Sequence, residues 1–176
     1  MVVDFIPFNK REHMDEFYKM NIEYMTWVVN ELDSYSKLDS RKIIGATIPV
    51  LVDNTIEPFL NFKPREGILF IVTVDGKVAG MGAIKKLNEG TGEIKRMYTR
   101  PDYRGQGIGK KMLQKLLETG REYGCTEFML DTPKWAYTAQ HIYKSAGFKE
   151  IEEYPESEIP PEFRSYWMYM KKKNNQ

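Results

Sequence analysis

Glycines alternate through Arg104-Gly105-Gln106-Gly107-Ile108-Gly109, the stretch of this chain best suited to holding a ligand. Without side chains, the backbone there lets a ligand come close to main-chain N–H groups. A helix that begins near Gly107 would aim its free N–H groups and the positive end of its dipole at the same point. The result is an anion site, and a pyrophosphate is its natural occupant. Two common nucleotide fingerprints fail here. A dinucleotide-binding G-x-G-x-x-G read from Gly105 would put its third glycine at Lys110. A Walker loop ending at Gly109-Lys110 would need glycine where Arg104 stands and Ser or Thr where Lys111 stands. The spacing that fits is R/Q-x-x-G-x-G/A, met by Arg104, Gly107 and Gly109.

The flanking elements must hold that loop in place. Glu93–Thr99 reads as a strand leading into it. Ile108, Met112, Leu113, Leu116 and Leu117 line one face of a helix leading out, with Lys110, Lys111, Gln114, Lys115 and Glu118 opposite. Upstream, Val2–Phe5 reads as a short strand. Lys10–Leu32 reads as a helix with Met14, Phe17, Tyr18, Met25, Val28, Val29 and Leu32 on one face. Residues 34–61 read as one or two short helices with loops, punctuated by Pro49 and Pro58. Ile68–Val74 is a continuous apolar run, as in a strand covered on both faces. Asp75-Gly76 is a hairpin turn into Lys77–Lys86, where Gly80 and Gly82 signal a bulge or a close backbone approach. After the glycine loop and its helix come a strand over Glu127–Thr132 and a helix over Tyr137–Ala146. Two antiparallel strands, Phe148–Tyr154 and Tyr166–Lys171, close the chain. This order predicts one α/β domain over residues 1–176, with a mixed sheet of six to seven strands and helices on both faces. The parallel crossover after Glu93–Thr99 places the glycine loop at a strand's C-terminal edge, where open sheets bind ligands.

Composition narrows the function. A net charge of +1 argues against a nucleic-acid partner. No apolar run approaches the roughly 20 residues of a membrane helix, and Met1–Phe8 lacks the form of a signal peptide. The single cysteine, Cys125, leaves no internal disulfide and suits a cytoplasmic location, where it reads as a small buried residue. His13 and His141 stand apart from any ligand cluster, so no metal site is expected.

The loop resembles that of the GNAT N-acetyltransferase superfamily. A second segment in the same order strengthens the likeness. Ala139-Gln140-His141-Ile142-Tyr143-Lys144-Ser145-Ala146-Gly147-Phe148 is similar to the family's A-x-x-[aliphatic/aromatic]-Y-x-x-x-G-F run. The resemblance covers roughly Ile68 to Phe148. It implies a GNAT-like fold, acetyl-CoA as acetyl donor, and a small-molecule or peptide amine as acceptor. It further implies that Arg104, Gly105, Gln106, Gly107, Ile108, Gly109 and Lys110 surround the pyrophosphate. The strand segment Met97, Tyr98 and Thr99 would offer main-chain groups to the pantetheine arm. Many members carry asparagine seven residues before the motif tyrosine; here that position is Ala136, with Tyr137 and Thr138 beside it.

Two catalytic roles follow from the resemblance. When an amine attacks the thioester, the sulfur leaves as thiolate, and the family's tyrosine at the position of Tyr143 is the usual proton donor. Some members place a glutamate eleven residues before the Arg/Gln of the loop, which here is Glu93. It would take the amine's proton directly or through a water. The acceptor is expected opposite the donor, among Tyr24, Trp27 and Tyr35 and the late-loop residues Glu156, Glu158 and Arg164. Carboxylates there would suit a cationic amine; Arg164 would suit an acceptor carboxylate. A non-catalytic module that binds acetyl-CoA or CoA is the competing reading, and a homodimer is left open.

Overall fold

The computed structural model describes residues 1–174, and its seven strands make one sheet. In chain order the elements are β1 (Val3–Pro7), α1 (Lys10–Ser36), α2 (Ser40–Ile44), α3 (Ile48–Leu60), β2 (Gly67–Val74), β3 (Lys77–Lys86) and β4 (Thr91–Thr99). They continue with α4 (Ile108–Glu122), β5 (Glu127–Pro133), α5 (Tyr137–Ser145), β6 (Lys149–Ile151) and β7 (Trp167–Lys173). The strand order is β1-β2-β3-β4-β5-β7-β6. Among the described residues only β4 and β5 pair in parallel; β7 inserts between β5 and β6, antiparallel to both. The mixed α/β sheet with helices on both faces is thus as expected.

Several elements depart from the sequence expectation. The first helix runs to Ser36, a turn beyond Leu32. It starts at Asn9, whose side chain accepts a hydrogen bond from the Arg11 N–H at 2.9 Å, and it ends at Lys37 in the left-handed region. Pro49 opens α3 rather than breaking it, since a proline in the first turn removes no helical hydrogen bond. Pro58 lies in the last turn of α3. The strand expected over Phe148–Tyr154 shrinks to Lys149–Ile151, because Tyr154 leaves the sheet edge to pack under the late loop.

Each face of the sheet has its own core. On one face α4 buries Ile108, Met112, Leu113, Leu116 and Leu117 against Phe70, Val72, Ile84, Ile94, Phe128 and Leu130. Gly82 explains the close seating of α4: a Cβ there would sit 2.6 Å from the Met112 sulfur. On the other face α1 and α3 bury Phe17, Met20, Val52, Ile56 and Phe59 against Leu69, Ile71, Met81 and Tyr98. The alternation of β2 feeds both cores, which is why its run is apolar throughout.

Two features of β4 shape everything that follows. It pairs with β5 only through Thr91, Gly92 and Glu93. Beyond Glu93 the two strands have no ladder between them, so the β5-side edge of Ile94–Thr99 is unpaired. In addition, β4 bulges against β3. Ala83 pairs with Lys95 and Met81 with Tyr98, so Arg96 and Met97 together oppose Gly82. Arg96 takes the strain, with φ of 54°.

Candidate active site

The glycine loop opens one cavity of about 630 Å³. Gly107 has φ of 77° and caps α4 without a side chain. The first intrahelical bond runs from the Lys111 N–H to the Gly107 carbonyl at 3.1 Å, so the N–H groups of Ile108, Gly109 and Lys110 begin the helix without helical partners. An added Cβ at Gly105 or Gly107 would meet no heavy atom within 4 Å. Both positions are therefore open, and the free N–H groups of the helix start suit an anion such as a pyrophosphate. Arg104 donates from Nε to the Thr99 carbonyl at 3.0 Å, and its guanidinium lies 6.0 Å from the Trp27 ring centroid. The cavity continues along Thr99, Tyr98 and Met97 to Tyr143, with Ala136, Tyr137 and Thr138 on its far wall.

A second cavity, of about 480 Å³, opens on the α1 side of the sheet. Apolar side chains of α1, α2, α3 and the late loop, among them Leu32, Ile44, Leu51 and Phe163, line part of it, and Lys95, Arg96, Asp131, Glu158 and Glu162 line the rest. The two cavities share Tyr24, Trp27, Met97, Ala136, Ala139 and Tyr143. They meet where β4 and β5 have parted, so a donor along the glycine loop and an acceptor from the other face would meet beside Tyr143.

Tyr143 is buried against Phe148, with ring centroids 6.0 Å apart. Its hydroxyl has one weak partner, the Met97 sulfur at 3.8 Å. Burial, then the neighbouring Tyr24 and Asp131, push its pKa well above the usual tyrosine value. The hydroxyl thus keeps its proton through the neutral range and has it available to a reacting atom.

Opposite lies a network of three carboxylates and two ammonium groups. Lys95 Nζ is 3.4 Å from Glu93, 3.6 Å from Asp131 and 3.4 Å from Glu158. Lys85 Nζ is 3.3 Å from Glu93 and 2.6 Å from Glu158. Burial alone would lower the pKa of Lys95, but Asp131, Glu93 and Glu158 outweigh it and the net shift is upward. Tyr154 donates to Glu93 at 2.7 Å, with Asp131 3.4 Å away. Burial first, then those two carboxylates, drive the Tyr154 pKa far upward, so it stays a donor.

The expected residues divide between wall and periphery. Met97, Tyr98, Thr99, Arg104, Gly105, Gly107, Ile108, Gly109 and Lys110 line the donor cavity; Gln106 turns away and donates to the Asp102 carbonyl at 3.2 Å. Tyr24, Trp27 and Glu158 line the acceptor cavity. Tyr35 does not; it packs on Trp135 and Tyr166. Arg164 does not either, because its guanidinium is taken by Glu153 and the Ile159 carbonyl. Glu156 lies exposed outside it. Glu93 has no exposed surface and touches neither cavity; it sits one layer behind the wall, under Lys95 and Tyr154. Sequence reading passed over Asp131, Lys95 and Arg96, all on the acceptor wall. The signal for Asp131 was present, since alternation along β5 sets Glu127, Met129 and Asp131 on the face away from Phe128 and Leu130. Cys125 is buried, as expected. Among the described residues no group of acidic, His or Cys side chains could hold a metal ion, and no helix is long and apolar enough to cross a membrane.

The chain matches the acetyltransferase (GNAT) family over residues 14–148. It is 30% identical over 125 residues to an IAA acetyltransferase of Azospirillum brasilense, covering 70% of this chain and 75% of that one. Over a shorter stretch of 60 residues it is 37% identical to the thialysine N-epsilon-acetyltransferase of Sus scrofa, or 34% of this chain and 35% of that one. The paia N-acetyltransferase of Thermoplasma acidophilum, solved in complex with coenzyme A, superposes with a TM-score of 0.67 at 17% identity, covering 98% and 99% of the two chains. An acetyltransferase of Streptococcus agalactiae does so with a TM-score of 0.68 at 21% identity, covering 97% and 98%. Family model and relatives agree with the open helix entry and the parted strands: the chain belongs to the acetyltransferase (GNAT) family, acyltransferases that use acetyl-CoA as acetyl donor.

Proposed function

We propose that this protein transfers the acetyl group of acetyl-CoA directly to a primary amine held in the α1-side cavity. The observation that carries this reading is the meeting of two cavities at Tyr143, Met97 and Tyr24 through the gap between β4 and β5. The loop from Arg104 to Lys110 would hold the pyrophosphate by main-chain N–H groups, with Arg104 and Lys110 adding charge. Main-chain groups of Met97 and Thr99, on the unpaired edge of β4, would hold the pantetheine arm.

In the reaction a neutral amine attacks the thioester carbonyl. A C–N bond forms, the C–S bond breaks, and the products are an N-acetyl amide and the CoA thiol. One proton must leave the nitrogen and one must reach the sulfur. Tyr143 faces the junction and donates a hydrogen bond toward the departing sulfur. An ordinary thiol has a pKa of about 8.5, below that of even an unperturbed tyrosine. Tyr143 therefore steadies the developing thiolate through that hydrogen bond. The proton the sulfur finally carries balances the one that leaves the nitrogen, any proton Tyr143 gives up being returned to it from solvent.

Asp131 is the carboxylate that the β5 wall presents to the acceptor, beside Tyr143. We assign it the amine's proton. Glu93, behind the wall, then works as a positioning residue: with Tyr154 and Lys95 it fixes the side chain that meets the acceptor. The test is a panel of amines scored by thiol release from acetyl-CoA, with mass spectrometry of the product. Acetylated amine formed in a burst-free, sequential reaction supports the reading; binding of acetyl-CoA with no amine acetylated overturns it in favour of a CoA-binding module.

A further inference from the structure

Arg96 is the one cation on the acceptor wall whose charge has no carboxylate beside it. Lys95 next to it touches three carboxylates, whereas no carboxylate of the described residues lies within 4 Å of the Arg96 guanidinium. The guanidinium donates once, from Nη2 to the Thr55 main-chain carbonyl at 3.1 Å, which neutralises no charge. Its Nη1 is shut off from solvent without a partner. Its flanks are aromatic: the Phe59 centroid is 5.2 Å away and the Tyr24 centroid 5.9 Å. Ring faces tolerate a cation, but they leave the rest of its five N–H donors unused. Burial works against this charge, and the more distant Tyr24, Glu158 and Asp131 only partly offset it.

The backbone is strained to put it there. In a regular strand Arg96 would point to the face opposite Lys95. The bulge, with Arg96 at φ of 54°, brings Ile94, Lys95, Arg96 and Met97 all onto the wall of the acceptor cavity. A buried guanidinium without a counter-ion is costly, and an anion that enters with a ligand relieves the cost. The ring of Tyr24 beside it lines both cavities, so the guanidinium stands within one side chain of the junction at Tyr143. Leu32, Ile44, Leu51 and Phe163 give the cavity an apolar stretch of wall, apart from the charged Lys95, Asp131, Glu158 and Glu162.

We propose that the acceptor is an amino acid with an apolar side chain, whose carboxylate pairs with the Arg96 guanidinium while its amine faces the junction of the two cavities. This rests on the acetyl-transfer reading above and narrows its acceptor. The arrangement sorts the three parts of such a molecule. The carboxylate meets the free cation, and the side chain meets the apolar wall. The amine, neutral once its ammonium has lost one proton to solvent, meets Asp131, which takes the proton released as the C–N bond forms. A simple alkylamine fills the last two places and leaves Arg96 as it is.

The test uses matched pairs that differ only in the carboxylate: L-leucine with 3-methylbutylamine, and L-phenylalanine with 2-phenylethylamine. The readout is kcat/KM for thiol release, with Arg96→Met and Arg96→Lys beside the unaltered protein. Because Arg96 has positive φ, Met and Lys meet the same backbone strain, so the two variants are comparable. In the unaltered protein the amino acid of each pair is expected to lead by about ten- to a hundredfold, the worth of a hydrogen bond to a charged group. Arg96→Met should bring the ratio to about one, and Arg96→Lys should keep part of it. Equal kcat/KM within the pairs, or a preference that survives Arg96→Met, overturns the inference. Calorimetry of N-acetyl-L-leucine against N-acetyl-3-methylbutylamine, on the CoA-loaded protein, separates this from failure of the transfer reading. If no amine is acetylated, a carboxylate preference in binding that Arg96→Met removes still supports the Arg96 site, and equal binding rejects it.

Discussion

The glycine-loop cavity offers an anion the main-chain N–H groups that open α4, whereas the α1-side cavity offers a ligand only side chains, charged and apolar. The first draws mainly on Met97 to Lys110, with α5 and the Tyr24 and Trp27 rings of α1 closing it. The second draws on α1, α2, α3, β4, β5 and the late loop. Main-chain donors are the same whatever the side chains, so a loop of this kind serves one fixed ligand group. A wall of side chains can be rewritten residue by residue, which suits the half of the reaction that sets specificity.

That contrast can be broken at its meeting point first. Tyr143→Phe keeps the ring and its packing on Phe148 and removes the hydroxyl. Turnover is expected to fall roughly ten- to a thousandfold, with acetyl-CoA affinity little changed. Near-unaltered turnover would return Tyr143 to the role of a core residue.

On the main-chain side, Gly107→Val places a β-branched residue at φ of 77°, a conformation that side chains rarely adopt. Calorimetry should show CoA binding weakened by about tenfold or more, since the free loop relieves a strain of order 1–3 kcal/mol by turning its N–H groups away and must take it up again to bind. Gln106→Ala, which removes a side chain turned outward, should bind CoA as the unaltered protein does. A large loss there would mean the loop binds through side chains after all.

On the side-chain side, Asp131→Asn and Glu93→Asp separate contact from support. Asp131→Asn is expected to lower kcat by about a hundredfold or more. Glu93→Asp keeps the charge but draws it back from Tyr154, so it should lower kcat more gently. Losing the buried hydrogen bond should lower stability by roughly 1–3 kcal/mol in a urea titration. An Asp131→Asn protein with nearly unaltered kcat would move the proton transfer elsewhere.

The smallest effect concerns the exposed rim. Burial would raise the pKa of Glu158, but Lys95 and Lys85 outweigh it and hold it below its ordinary value of 4.5. A carboxylate lowered on folding contributes stability that is present above pH 4.5 and lost as pH falls through its lower folded value. Glu158→Gln should therefore lower the melting temperature near neutral pH, by at most about 4 °C for a half-exposed pair. The gap from the unaltered protein should close in acid. A gap that persists below pH 4.5 would show that Glu158 acts through packing.

The donor half was legible in the sequence because its causes are local. Alternate glycines, a strand before them and the 3.6-residue spacing of Ile108, Met112, Leu113, Leu116 and Leu117 all act over a few residues. Tyr143 was legible through its frame of Ala139 to Phe148. A mixed sheet of six to seven strands followed from element order, whereas the insertion of β7 between β5 and β6 and the short length of β6 depend on tertiary packing.

The acceptor half was decided in three dimensions. Glu93 reads as a strand end beside a turn, yet it is sealed by Tyr154, 61 residues on, and by lysines from two strands. Arg164 looked free to meet a ligand and is held by Glu153 and Ile159. Arg96 faces the cavity only because β4 carries two residues against Gly82 of β3. Strand periodicity assigns faces by counting in twos, and one extra residue reverses the count. Sequence alone determined the open helix entry at Gly107, the place proposed for a pyrophosphate, since that needs only backbone conformation and a helix start. Which charges are neutralised, and which is left for an acceptor, depends on neighbours brought together by pairing and burial, and only the tertiary structure decides that.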